Sequence, residues 1–209
     1  MFVDVEQNTE EWFDLRLKKI TSSNLGKIMA NYGKAFGSPA KEYAERIALE
    51  YITGKRDETS SYSNKFMERG HELEPVAIME YQEQEMQIVK NGGFYFNDTE
   101  NETILVGDSN DGNVGENGCI EVKSVIPKTH WKRLKKGGID SAYQWQIQGH
   151  LFIGGKDWCD FISYCPEMPK NKQLYVCRVL PDKSMIEKMI IRVAEFRLEI
   201  EKNINILEA

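Results

Sequence analysis

Two hydrophobic rhythms divide the chain. Up to about residue 90, apolar positions recur every three or four residues; after Asn91-Gly92-Gly93 they gather in short β-branched or aromatic runs. In the first part, "TSSNLGKIM" (21–29) predicts a helix capped by Ser22 or Ser23, with Leu25, Ile28 and Met29 as its buried stripe. "SPAKEYAERIALEYITG" (38–54) predicts a second, with Ser38 as cap, Pro39 in the first turn and Gly54 at the end. A third helical region runs from about Lys65 to Glu85, where Pro75 either kinks it or restarts it.

The second part predicts strands at "FYFN" (94–97), "TILVG" (103–107), "CIEVKSVI" (119–126), "WCDFISYC" (158–165) and "QLYVCRVL" (173–180). Between the third and fourth, "DSAYQWQIQGHLFIGG" predicts a helix starting near Asp140 or Ser141 and stopped by Gly154-Gly155. The closing segment has Ser184 and Glu187 spaced as a capping box. Its apolar stripe is Ile186, Met189, Ile190, Val193, Phe196, Ile200 and Leu207, a core or subunit-interface face. Helices first, then a mixed sheet interrupted by a helix, then a closing helix describe an α/β (α+β) fold: a central mixed sheet flanked by helices. No repeat, low-complexity tract or linker interrupts it, so residues 1–209 read as one domain.

Composition changes little in this picture. With 209 residues and 41% hydrophobic content, the chain has enough for one sizeable core. Its apolar runs are too short to span a membrane, and "MFVDVEQNTEEW" lacks the basic and apolar regions of a secretory signal. Four scattered cysteines (119, 159, 165, 177) with no CxxC pair read as reduced, mostly buried thiols of an intracellular protein. A net charge of −6 argues against a nonspecific nucleic-acid binder. Charge is unevenly spread, however: "KSVIPKTHWKRLKK" (123–136) holds six Lys or Arg and no acid, compatible with a basic channel in an acidic protein. Within it Lys132, Arg133 and Lys135 are candidates to track a nucleic-acid backbone, while Trp131 reads as packing.

Candidate chemistry centres on "GDSNDGNVGENGCIEVKS" (107–124). Alternation along a strand puts Glu121 and Lys123 on one face and Ile120 and Val122 on the other. Asp111 lies on the turn that leads into this hairpin, where it can converge with Glu121. Two carboxylates with backbone oxygens make the hard, all-oxygen site that Mg²⁺ or Mn²⁺ prefers, and a neighbouring lysine suits phosphodiester hydrolysis. A Glu-x-Lys salt bridge on a surface hairpin would leave the same trace. On the helix after Ser141, Gln146 shares a face with Tyr143 and His150, whereas Gln144 and Gln148 fall on the far side. His71, His130 and His150 have no common ligand spacing and read as structural histidines.

Four stretches, "EWFDLRLKKITSSNLGKIM", "ERGHELEPVAIMEY", "GDSNDGN…GCIEVKS" and "SAYQWQIQGHLFI", resemble the phage lambda exonuclease and YqaJ-type viral recombinase family in order and spacing, from about Glu11 to Pro166. The series Asp111, Glu121, Lys123 is similar to the signature of the wider restriction-endonuclease-like nucleases. The resemblance implies that Asp111, Glu121 and the Val122 carbonyl ligate metal, that Glu74 completes the site and that Lys123 activates water. It also implies that Gln146 places the water or the scissile phosphate, and that Arg16, Thr21 and Ser23 hold a 5′-terminal phosphate. A helix N-terminus beside an arginine agrees with the last role. The implied activity is 5′-to-3′ digestion of one strand of linear double-stranded DNA to 5′-mononucleotides, leaving a 3′ overhang. Two Mg²⁺ or Mn²⁺ ions per site, a homotrimeric ring, a phage single-strand annealing partner and a cytoplasmic setting in a bacterial host accompany it. Where the family has Ser-Pro-Asp-Gly, this chain has Ser109-Asn110-Asp111-Gly112, so Asp108 competes with Asp111, which the Asp-Gly pairing favours. Rival readings are an endonuclease or structure-specific nuclease on the same core, and an inactive DNA-binding module.

Overall fold

The computed structural model describes residues 1–56, 65–97 and 105–209. Helix α1 (Glu10–Arg16) is capped by Thr9, whose side chain accepts the Trp12 N–H; acids in its first turn and Arg16 in its last suit its dipole. Helix α2 (Leu25–Met29) is short. It is entered through a 3-10 turn over Ser22–Asn24, so its cap position falls on Asn24 rather than on Ser22 or Ser23. In helix α3 (Ser38–Thr53) the cap is Gly37, Ser38 is already helical, Pro39 sits in the first turn, and left-handed Gly54 ends it. Helix α4 (Lys65–Glu85) continues through Pro75, so nothing restarts there.

Residues 118–180 build a five-stranded sheet together with two earlier strands. Its order is β3 (Val89–Lys90), β6 (Gly112–Val114), β7 (Gly118–Ser124), β8 (Trp158–Tyr164) and β9 (Leu174–Val179). Only β7 and β8 run parallel, joined by helices α5 (Pro127–Lys136) and α6 (Gln144–Ile153). A second, four-stranded sheet has the order β1 (Phe2–Val3), β4 (Phe94–Phe96), β5 (Val106–Asp108) and β2 (Ile20–Thr21). The mixed α/β expectation therefore holds, but the sheet is split in two. Positions 103 and 104 of the predicted second strand lie outside the described residues; Val106–Asp108 carries the rest.

Strand β7 organises the core. Ile120 and Val122 pack with Ala77 and Tyr81 of α4, while Cys119 packs with Phe161 of β8 and with Ile147 and Leu151 of α6. The largest cluster joins α2, α3 and helix α7 (Lys183–Glu208) over Ile20 and Val106 of the smaller sheet. Fully buried Phe196 contributes about 1.5–3 kcal/mol there. Helix α7 is capped by Asp182, which accepts the Met185 N–H, so the Ser184–Glu187 box is not used. Its buried stripe is Met189, Val193, Phe196 and Ile200, with Ile186 packed at its edge. Ile190, rotated ~100° from Met189, is 48% exposed. Leu207 is 46% exposed because α7, with 26 residues, outruns the 16 of α3. All four cysteines are free thiols, three of them buried.

Candidate active site

The site grows from the point where β6 stops and β7 continues. The Asp111 N–H donates to the Ile120 carbonyl, so β7 is still paired at that residue. Two residues further on, the Val122 N–H donates to Asp111 Oδ2 at 2.7 Å instead of to a strand. Backbone groups alternate sides along a strand, so the Val122 carbonyl also points past the end of β6, beside Asp111. The turn that sets Asp111 needs no proline. Buried Asn110 accepts the Gly112 N–H through Oδ1 at 3.1 Å, and its carbonyl accepts Gln7 Nε2 at 2.8 Å. Gly92 packs so closely that a Cβ there would lie 1.9 Å from the Asn110 carbonyl oxygen.

Glu121 is the centre of the polar cluster and is fully buried. Its Oε1 accepts Gln146 Nε2 at 2.7 Å and is ion-paired with Lys123, as the shared face required. Its Oε2 meets His150 Nε2 at 2.9 Å, and His150 Nδ1 meets Asp108 Oδ1 at 2.6 Å. Gln146 and His150, one turn apart on α6, thus serve one carboxylate, while Gln148 on the other side bonds Leu180 and Asp182. His130 is a structural histidine, held by Ser163 and the Lys172 carbonyl, whereas His71 is exposed. His150 departs from that reading: it is satisfied by two acids, one of them a candidate ligand. Asp108 lies behind the imidazole, whereas Asp111 meets the Val122 N–H.

The charges respond to one another. Burial would push Glu121 up, but Lys123 and His150 overcome it and hold the carboxyl at about 2. Burial and the Glu121 charge raise Asp111 to about 6, against Lys123 and the Val122 N–H. Glu74 rises to about 8 through burial, Asp111 and Glu121, with Lys123 opposing. Burial disfavours the Lys123 ammonium, yet Glu121 and Asp111 hold it above the ordinary lysine value. Burial likewise opposes the His150 charge, and Asp108 and Glu121 outweigh it.

Arg16, Thr21 and Ser23 come together beside this cluster. Arg16 Nη2 reaches Ser23 Oγ at 3.4 Å, Thr21 Oγ1 lies 3.3 Å from Ser23 Oγ, and Asn24 Nδ2 donates to Thr21 Oγ1. The Arg16 guanidinium lies 4.2 Å over the Trp12 ring, and Trp12 Nε1 donates to Ser109 Oγ at 2.9 Å, two residues before Asp111. The expected helix dipole has little part here, because α2 has five residues; the guanidinium and the hydroxyls are the groups this corner offers to an anion. On α5, Lys132, Lys135 and Trp131 are exposed, which corrects the packing role for Trp131. Arg133 is turned inward: it is buried, donates to Ser163 Oγ at 3.0 Å and lies against Tyr143 and Phe161. It cannot track a nucleic-acid backbone from there.

Among the described residues, no three His, Cys, Asp or Glu side chains already form a metal-ligand cluster. The Glu121 oxygens are turned to Lys123, Gln146 and His150 instead. The charge balance nevertheless fits a hard divalent cation. Four acids, Asp108, Asp111, Glu121 and Glu74, share two cationic groups, Lys123 and His150, and burial together with repulsion among the acids drives Asp111 and Glu74 up.

A family model described as the YqaJ-like viral recombinase domain matches residues 11–157. The chain belongs to that family. Two crystal structures of the alkaline exonuclease LHK-Exo from Laribacter hongkongensis superpose on it. One has 31% identity and a TM-score of 0.82, and the other, in complex with dAMP, has 32% and 0.83. Each covers 96% of both chains. A phage-related exonuclease from Haemophilus somnus 129PT shares the fold at 16% identity and a TM-score of 0.69, over 90% of this chain and 96% of that one. No curated protein matches the sequence. Family membership and the LHK-Exo likeness support a nuclease.

The link that sequence reasoning missed is Asp108–His150. Its one trace was the shared face of Gln146 and His150; the approach of β5 to α6 leaves no local pattern.

Proposed function

We propose that this protein is a divalent-metal-dependent exodeoxyribonuclease that digests one strand of linear double-stranded DNA in the 5′-to-3′ direction. It releases 5′-mononucleotides and leaves a 3′ overhang. The observation that carries the reading is the junction of two sites. Arg16, with Thr21 and Ser23, offers groups for a terminal phosphate, and Trp12 joins Arg16 to the turn that holds Asp111. A phosphate bound at Arg16 would therefore sit near the turn that carries Asp111, which supports the reading. LHK-Exo is an alkaline exonuclease, and a structure of it with a mononucleotide, dAMP, supports the same product class.

Asp111, Glu121, the Val122 carbonyl and Glu74 would hold Mg²⁺ or Mn²⁺, two ions in our reading. When bound, these would supply charge neutralisation at the phosphate and an activated water. The chain's own groups do the positioning. Gln146 and His150 fix the Glu121 carboxylate from α6. Lys123 rests against Glu121 as an ammonium, from which it can donate to a water or to a phosphate oxygen; neutralising the acids would favour loss of its proton to solvent, and only the resulting amine could take a proton from the attacking water. Exposed Lys132 and Lys135 would follow the DNA backbone. A homotrimeric ring and a phage single-strand annealing partner complete the proposal; light scattering at micromolar concentration tests the first, with a monomer contradicting it. Among the described residues no helix is long and apolar enough to cross a membrane.

The decisive assay compares linear duplex with a 5′ phosphate, the same duplex with a 5′ hydroxyl, and covalently closed circles, all in Mg²⁺. We expect the phosphorylated ends to be digested fastest and the circles to stay intact. Cut circles would establish the endonuclease reading instead.

A further inference from the structure

Asp108, His150 and Glu121 form an unbroken line of three buried side chains from three elements. Asp108 ends β5 in the four-stranded sheet, Glu121 lies mid-way along β7 in the five-stranded sheet, and His150 on α6 bridges them. An imidazole has its two nitrogens on opposite sides of a rigid ring, so a link of this kind fixes both the distance and the direction between two acids. With Lys123 and Gln146 on Oε1 and His150 on Oε2, both oxygens of Glu121 are held, and rotating the carboxylate breaks hydrogen bonds on either side.

Stability does not explain the arrangement. Buried ionic networks are often no more stable than apolar residues of the same volume. This one also carries a cost, because Asp108 Oδ2 is buried without a hydrogen-bond partner among the described residues. Asp108 is linked to Glu121 through the imidazole. It therefore acts on the ring's orientation, the way outer partners commonly orient a ligand.

We propose that His150, oriented by Asp108, is a positioning residue that presets the Glu121 carboxylate to receive a divalent cation. This rests on the nuclease reading. Removal of the link should weaken the cation, and through it turnover, while leaving DNA binding nearly unchanged.

The test is a Mn²⁺ titration of the intact, DNA-free protein by calorimetry, for wild type, His150→Leu and Asp108→Asn, with kcat and KM measured on linear duplex. His150→Leu should bind Mn²⁺ about 10–100-fold more weakly, the range typical of lost ligand-orienting partners. At limiting Mn²⁺ its kcat should fall in proportion, its KM for DNA should stay within about threefold, and saturating Mn²⁺ should restore much of the rate. Asp108→Asn keeps an oxygen for the imidazole and should show a smaller loss of the same kind. If His150→Leu does not fold, Asp108→Asn decides on the same titration. Variants that bind Mn²⁺ as wild type does overturn the positioning role alone. A wild type that neither binds Mn²⁺ nor cuts DNA overturns the nuclease reading beneath it.

Discussion

The two faces of β7 share a backbone and differ in everything else. Ile120 and Val122 meet α4 in an apolar layer, while Glu121 and Lys123 meet α6 in a buried polar one. The first face holds the strand in place through area removed from water. The second spends that rigidity on a carboxylate with both oxygens bonded. The same strand can thus be read as scaffold from one side and as candidate site from the other. Substitutions that move stability apart from activity test whether the division is real.

The largest effect is expected on the polar face. Glu121→Gln, or Lys123→Ala, should lower kcat on linear duplex by about 10²–10⁴-fold in fully folded protein, with a melting temperature somewhat below that of wild type because each leaves a buried charge without its partner. Activity retained in both variants would place the chemistry elsewhere. The apolar face should behave oppositely. Ile120→Ala removes a fully buried side chain and should cost about 2–5 kcal/mol in urea unfolding, with the specific activity of the folded fraction preserved.

Next comes pH. In metal-free protein Glu74 titrates at about 8 and Asp111 at about 6, against 4.5 and 3.8 in the unfolded chain. Between those values the folded state keeps protons that the unfolded chain has released, so stability falls as pH rises from about 4 to about 8. In EDTA, the melting temperature of wild type should drop over that window by a few degrees more than that of Glu74→Gln. Added Mn²⁺ at the alkaline end should recover the difference in wild type only.

The smallest effect belongs to α5. Lys132→Ala and Lys135→Ala should each weaken DNA binding modestly and flatten its salt dependence by roughly one unit of slope. Arg133→Ala should instead destabilise the fold, since its guanidinium bonds Ser163 inside.

Much of this was legible in the sequence because it is local. Period-2 alternation put Glu121 and Lys123 on one side, and the 3.6-residue period put Gln146 with His150; the structure brings all four together. What was not legible depends on where distant elements meet. The split into two sheets rests partly on strands of two or three residues, such as β1 and β2, too short to carry a pattern. Asp108 joined the site only because β5 approaches α6. The inward turn of Arg133 had a weak trace, its i,i+3 spacing from buried His130, hidden by the density of positive charge around it. The cap of α7 went to Asp182 instead of Ser184 because backbone geometry, rather than residue type alone, decides where a helix begins.

The central claim is that Asp111, Glu121 and Lys123 form a metal-dependent hydrolytic site. Its most direct test is release of nucleotides from 5′-phosphorylated linear duplex by wild type in Mg²⁺, in EDTA, and by Lys123→Ala in Mg²⁺. The account predicts 5′-mononucleotides from the first and next to none from the other two. Equal release in all three, or none from wild type in either Mg²⁺ or Mn²⁺, would contradict it.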